Sequence, residues 1–307
     1  MPRSRSHIIS RDPFRSARHA ALALIATACL LPGSLRAAPP GTVPYGAYDP
    51  EGFYSDNSAP VIEHIFLPWQ DVFLPSLNDA DAYALARNRA LLVTIEPWTW
   101  TRDSRNTPEA LQQGIADGTY DVNMAAICGQ INALQSPVTV RWGQEMEVTD
   151  GQFIWSNWQP TTFIAAFRRM TTICREAAPS VNIMWSPLGE EGMEAYYPGD
   201  AYVDLVGLSV FGLQAFDQLN FGRDRSYREI LEPRYNRAAA FGKPVVVAEL
   251  GYSGSAPYVE AWENEVRRER PGYPSLVGVV YFNQIEVYPW PNDLGLPDWR
   301  VTRRVTP

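Results

Sequence analysis

Val245-Val246-Val247-Ala248-Glu249-Leu250-Gly251 is a run of apolar, mostly β-branched residues that delivers a carboxylate next to a glycine. An apolar run with no polar alternation suits a parallel strand covered on both faces. A carboxylate at its end costs free energy unless it is paired or hydrogen-bonded, so it marks an end where something happens.

Working outward, the same kind of run recurs seven more times after Gly41: Tyr45 to Tyr48, Val61 to Leu67, Leu91 to Ile95, Val138 to Arg141, Val181 to Trp185, Val203 to Leu208 and Val277 to Phe282. Helical patterns separate many of them. Met124, Ile127, Ile131 and Leu134 recur at three and four residues behind Asp121 as N-cap. Phe163, Phe167, Met170 and Cys174 do so behind Thr161 or Thr162, and Val259, Trp262 and Val266 repeat the spacing. Strand-helix alternation that closes at eight predicts an α/β fold, a single-domain (β/α)8 TIM barrel over residues 39–307. The weakest unit is the first, because Asp49 to Ser58 is too short and polar for a full helix. An open doubly wound sheet is the alternative, weakened by the lack of a Gly-rich phosphate loop after the first strand.

Residues 1–38 are of another kind. Five Arg precede an apolar run from Ala20 to Leu31, which Pro32 ends and Ala37-Ala38 follow. This order predicts a secretory signal peptide cleaved near Ala38 to Gly41, and a secreted or periplasmic protein. The run is short for a bilayer span, and no later stretch looks transmembrane. Residues 1–38 hold six Arg and one Asp, which leaves 20 basic against 33 acidic residues and a net charge near −13. Such a surface disfavours nucleic acid and anionic lipid but does not hinder a neutral polymer. Cys128 and Cys174 remain, either as buried thiols or as a disulfide. No His/Cys cluster suggests a metal site, and a monomer without cofactor is expected.

In a barrel, chemistry sits at the C-terminal strand ends. Here these read Glu96-Pro97-Trp98-Thr99-Trp100, Arg141-Trp142-Gly143-Gln144-Glu145-Met146-Glu147, Ser209-Val210-Phe211, Glu249-Leu250-Gly251 and Asn283-Gln284. Two Glu on strands four and seven face one another across a mouth. Retaining glycoside hydrolysis needs two carboxyls about 5–5.5 Å apart, one as proton donor and one as nucleophile. Arg141 and Glu145 share strand parity, so both are expected to project to the same side.

The pattern resembles glycoside hydrolase family 26, whose strand-four motif is R-x-x-H-E-M-N. The matching stretch is Arg141 to Glu147, and Tyr197-Pro198-Gly199-Asp200-Ala201-Tyr202-Val203-Asp204-Leu205-Val206-Gly207 resembles the family's segment into strand six. Gly46-Ala47-Tyr48-Asp49-Pro50 and Asp298-Trp299-Arg300 also look familial. The resemblance implies that Glu145 is the acid/base, Glu249 the nucleophile and Arg141 an active-site Arg. It implies a retaining endo-β-glycosidase of a β-linked polysaccharide, mannan or a related glucan or exopolysaccharide. Three positions depart from the family: Gln144 for His, Glu147 for Asn and Phe211 for a Tyr that would hydrogen-bond the nucleophile. They leave open a non-catalytic glycan-binding or export-associated barrel; a transglycosylase, which shares the covalent intermediate but excludes water, is a further alternative. Arg141, Gln144, Trp98, Trp100, Trp155, Phe211 and Asn283 are expected to bind substrate. The Trp residues are named because indole faces stack on sugar rings and their Pro, Asp and Ser neighbours suggest loops. Glu96 and Glu147 read equally as ligands of sugar hydroxyls or as partners of an Arg.

Overall fold

The computed structural model describes residues 41–101 and 104–301. The expected leader over 1–38 lies outside the described residues. No helix among those described is long and apolar enough to cross a membrane.

Eight parallel strands close into a barrel: β1 Tyr45–Tyr48, β2 Ile62–Pro68, β3 Ala90–Glu96, β4 Val138–Trp142, β5 Asn182–Trp185, β6 Leu205–Leu213, β7 Val245–Ser253 and β8 Leu276–Phe282. Each strand pairs with its neighbours in sequence, and β1 closes on β8 through Tyr45 opposite Val279. All eight apolar runs of the sequence are strands, most with ends within two residues of those expected; the sixth runs on five residues past Leu208, to Leu213.

Alternation within the strands builds two cores. In β3, Leu91, Val93 and Ile95 face the helices and join the large outer core, whereas Leu92 joins Met184, Val246, Ala248 and Val280 inside the barrel. Above this apolar plug the inward positions turn polar, with His64, Thr94, Arg141, Ser186 and Ser209 all buried. His64 Nε2 lies 2.7 Å from Thr94 Oγ1. Parallel strands with a helix layer outside therefore read as continuous apolar runs, and polar inward residues appear only toward the mouth.

The crossovers are uneven. Helix α1 (Ser76–Leu85) follows β2; α2 (Pro108–Ala116) and α3 (Asp121–Ile131) follow β3; α4 (Pro160–Ala177) follows β4. Helices α5 (Gln214–Phe221) and α6 (Tyr227–Ala239) follow β6, and α7 (Ala256–Val266) follows β7. The first connection has no helix, as its composition predicts, and the fifth has only the 3-10 turns Met193–Tyr196 and Asp200–Tyr202. Two helix starts differ from expectation. Tyr120 caps α3, and Asp121 instead pairs with Arg169 of α4 at 2.5 Å. Helix α4 begins one residue before Thr161, at Pro160, whose fixed φ suits a first turn. Cys128 of α3 and Cys174 of α4 form a disulfide with Cα atoms 5.2 Å apart, so the thiols are not free. It closes a loop of 46 residues.

Candidate active site

Glu249 reaches the mouth through an irregularity in β7. Leu208 of β6 pairs with Val247, but the next residue, Ser209, pairs with Glu249, which leaves Ala248 without a partner. On the other side Val279 pairs with Val247 and Tyr281 with Leu250, so three steps of β7 match two of β8. Val247 and Leu250 consequently both belong to the outer core. Without the bulge, strict alternation would send Glu249 outward with Val245 and Val247; with it, Glu249 follows Ala248 inward. Bulges commonly re-aim a side chain beside a site in this way.

Once inside, Glu249 Oε1 accepts from Arg141 Nη1 at 2.5 Å, and Arg141 has no exposed side-chain surface. Burial raises the Glu249 pKa, and the charge and hydrogen bond of Arg141 oppose that rise.

Glu145 arrives differently. Strand β4 ends at Trp142, and Gly143 and Glu145 both take positive φ, 57° and 54°. Shared strand parity with Arg141 is therefore not what orients Glu145; a tight turn does. A non-glycine residue in the left-handed region is uncommon and costs of order 1 kcal/mol or more. The Glu145 N–H donates to Ser186 O at 2.8 Å, which holds the turn. Its Oε1 accepts a short hydrogen bond from Ser209 Oγ. Ser209 is the cross-strand partner of Glu249, so the two Glu converge on one point of the mouth. Arg234 Nη1 fixes the Ser209 carbonyl at 2.7 Å. Burial, and then the charge of Glu249, push Glu145 up to about 8.

Glu96 at the end of β3 is a third acid. Gln144 Nε2 donates to its Oε1 at 2.9 Å and Trp98 Nε1 to its Oε2 at 3.2 Å. Burial is the main cause of its raised pKa, and the charge of Glu249 adds to it. Glu147 accepts the Gly189 N–H at 2.8 Å, and burial raises it too. Tyr48, raised by burial and by the charges of Glu96 and Glu249, stands on the same rim. His64 below is held neutral, its pKa pulled well below 6.5 by burial and by Arg141.

The residues expected to bind substrate divide. Arg141 and Gln144 join the cluster, but both are buried, Arg141 against Glu249 and Gln144 against Glu96. Trp98 is half-buried and Trp100 exposed, with Arg105 lying 3.8 Å and 5.3 Å from their ring centroids. Trp155 has no exposed surface; its Nε1 donates to Gln144 O at 2.7 Å and braces the turn rather than offering a platform. Phe211 is half-buried against Phe282, Trp290 and Trp299. Asn283 has no exposed surface either; it donates to Asp49 at 2.7 Å and accepts from Val301 N–H, which ties Val301 to the loop after β1. Sequence reasoning did not single out Ser209 or Tyr48. The signal for Ser209 was its place two residues before Phe211 on an inward-facing parity.

No protein-family model matches the chain. Over 109 residues, 33% of the chain, it is 28% identical to a β-1,3-xylanase from Alcaligenes sp. and equally to one from Vibrio sp.. The matched stretch spans 22% and 23% of those two proteins. Among solved structures it resembles a glycoside hydrolase family 26 β-mannanase from Bacteroides ovatus, with TM-score 0.60 and 16% identity, over 79% of this chain and 81% of that one. It also resembles a modular endo-β-1,4-mannanase from Cellulomonas fimi, with TM-score 0.63 and 15% identity, over 82% and 68%. The chain thus has a (β/α)8 barrel of the kind seen in family 26 mannanases.

Proposed function

We propose that this chain is a secreted glycoside hydrolase that cleaves a β-linked polysaccharide with retention, Glu145 serving as acid/base and Glu249 as nucleophile. One observation carries the reading: two buried Glu converge at one barrel mouth in unlike surroundings. Glu249 has a buried guanidinium that favours its charge. Glu145 has a hydroxyl, no cation in hydrogen-bond contact, and the repulsion of Glu249. When two carboxyls share a site, the first proton goes to the one with less positive support, so Glu145 holds it and Glu249 stays ionised. Glu249 then attacks the anomeric carbon while Glu145 protonates the departing oxygen; Glu145, now ionised, deprotonates the water that releases the sugar.

The fold of family 26 mannanases and the local likeness to β-1,3-xylanases support a polysaccharide substrate. Secretion is supported by the basic-then-apolar leader and by the Cys128–Cys174 disulfide, which suits an oxidising compartment.

A reducing-sugar screen over mannan, xylan and glucan identifies the substrate, and two variants assign the roles. Glu249→Ala should lose activity on every polymer, and azide should then give the product of inverted configuration. Glu145→Ala should still form a glycosyl-enzyme from an aryl glycoside with a good leaving group and then stall, until azide releases the product with retained configuration. Variants that behave alike, or that match wild type, would refute the assignment. Binding of a glycan with no cleavage in the screen would make the barrel a binding protein instead.

A further inference from the structure

Glu96 has no part in the double displacement, yet it sits in the same mouth, within reach of the charge of Glu249. Both of its oxygens are held by neutral donors, Gln144 Nε2 and Trp98 Nε1. The cation acting on it, Arg141, is already bound to Glu249 and has no exposed surface. Glu147 and Glu286 add their charges from the β4 and β8 loops, to Glu145 and Glu249 respectively. Four carboxyls besides the protonated Glu145 thus gather at the mouth, where Arg141 is buried against Glu249 and Arg105 lies over Trp98. A second, independent feature lies between them. Gln144 is 2% exposed, and its Oε1 has no hydrogen-bond partner among the described residues. Its amide nitrogen is on Glu96, and its backbone leads directly into Glu145, so the orphaned acceptor belongs to the same corner of the mouth.

We infer that the substrate is a glycan bearing free amino groups, with the Glu96 carboxylate and Gln144 Oε1 accepting hydrogen bonds from one sugar ammonium. An ammonium has three donors and no acceptor, which is the complement of a carboxylate beside an orphaned carbonyl. A neutral hydroxyl satisfies Gln144 but brings no charge to Glu96, whereas bonds from a cation to a carboxylate are about twice as strong as neutral ones. The net charge near −13 left after residues 1–38 draws a polycation toward the barrel and does nothing for a neutral polymer. This inference rests on the glycosidase reading for its setting, but binding tests it without turnover.

The test compares, by calorimetry at low salt, a β-1,4-linked glucosamine hexamer, the N-acetylglucosamine hexamer and cellohexaose on the full chain. The amino hexamer should bind at least about tenfold tighter than the other two, a difference of about 1.4 kcal/mol. Glu96→Gln should remove most of that preference. Glu260→Gln, an exposed position on α7, should leave it intact. Equal affinities overturn the inference. So does a preference that Glu96→Gln and Glu260→Gln change alike, since the overall field would then account for it. Hydrolysis of neutral polymers with no amino preference overturns this inference and spares the glycosidase reading. An amino preference without hydrolysis of any polymer does the reverse.

Discussion

Replacing Arg141 with Met tests the division of labour between the two Glu most directly. Arg141 is fully buried, and its Nη1 lies 2.5 Å from Glu249 Oε1. Charge centres about 4 Å apart attract by about 4 kcal/mol at an effective dielectric of about 20. Since one pKa unit corresponds to about 1.4 kcal/mol, removing the cation raises Glu249 by up to about 3 units. The sign is set by the site: Arg141 lowers the Glu249 pKa against burial, so its loss can only raise it. On the mechanism proposed above, the acid limb of the pH dependence of kcat/KM reports ionisation of Glu249, and it should move up by about 2–3 units. It then meets the alkaline limb set by Glu145, and the bell shrinks as well as shifts. Met preserves the hydrophobic stem, and a urea titration at each pH separates catalytic loss from unfolding. Stability should fall by about 3–5 kcal/mol where Glu249 is ionised and by less where it can take a proton. An acid limb that stays in place, or a rate lowered by one factor at every pH, would show that Arg141 does not set the charge of Glu249.

Glu145 is protonated in the folded chain up to about 8 but ionises near 4.5 when unfolded, so the native state holds the extra proton between those values and stability falls as pH rises through that window. Glu145→Gln mimics the protonated form and should be more stable than wild type at pH 8 by on the order of 3 kcal/mol, with little gain at pH 4, read from urea midpoints; an equal gain at both pH values would refute the shift. Reducing Cys128–Cys174 opens a 46-residue loop, which costs about 4 kcal/mol on loop entropy. The urea midpoint should drop on adding a thiol reductant and should not respond in Cys128→Ala/Cys174→Ala; a midpoint that reductant leaves unchanged would show that the bridge does not constrain the unfolded chain.

The barrel was legible because its strands are buried on both faces. Val93 inside β3 and Val247 inside β7 face the helices, their neighbours Leu92 and Val246 face the plug, and both directions demand apolar side chains. That demand produces runs that turn signals cannot disguise. The helix starts were less legible, because several are set by backbone and tertiary contacts rather than by a capping side chain. Asp121 has the residue type of an N-cap and occupies the first turn, but Arg169, 48 positions away, claims its carboxylate. The disulfide was undecidable for the same reason: the approach of α3 to α4 is a property of helix packing, not of the spacing between Cys128 and Cys174.

The site shows the same division more sharply. Glu145 and Glu249 were legible as acids at strand ends, but the reason they meet was not. Alternation alone, counted from Val245, would send Glu249 outward, and Glu145 reaches the side of Arg141 by a positive-φ turn rather than by strand parity. Two local irregularities, not strand alternation, bring the carboxyls together. A regular β7 would bury Glu249 in the helix layer without a cation, at the cost of an unpaired charge. The bulge at Ala248 instead delivers it to Arg141. Aromatic residues misled for a related reason. Loop composition flags Trp100 and Trp155 alike, yet Trp155 spends its Nε1 on the carbonyl of Gln144 and supports the very turn that presents Glu145. A side chain that braces the Glu145 turn and one that stands exposed have the same sequence neighbourhood; only burial and the hydrogen bond tell them apart.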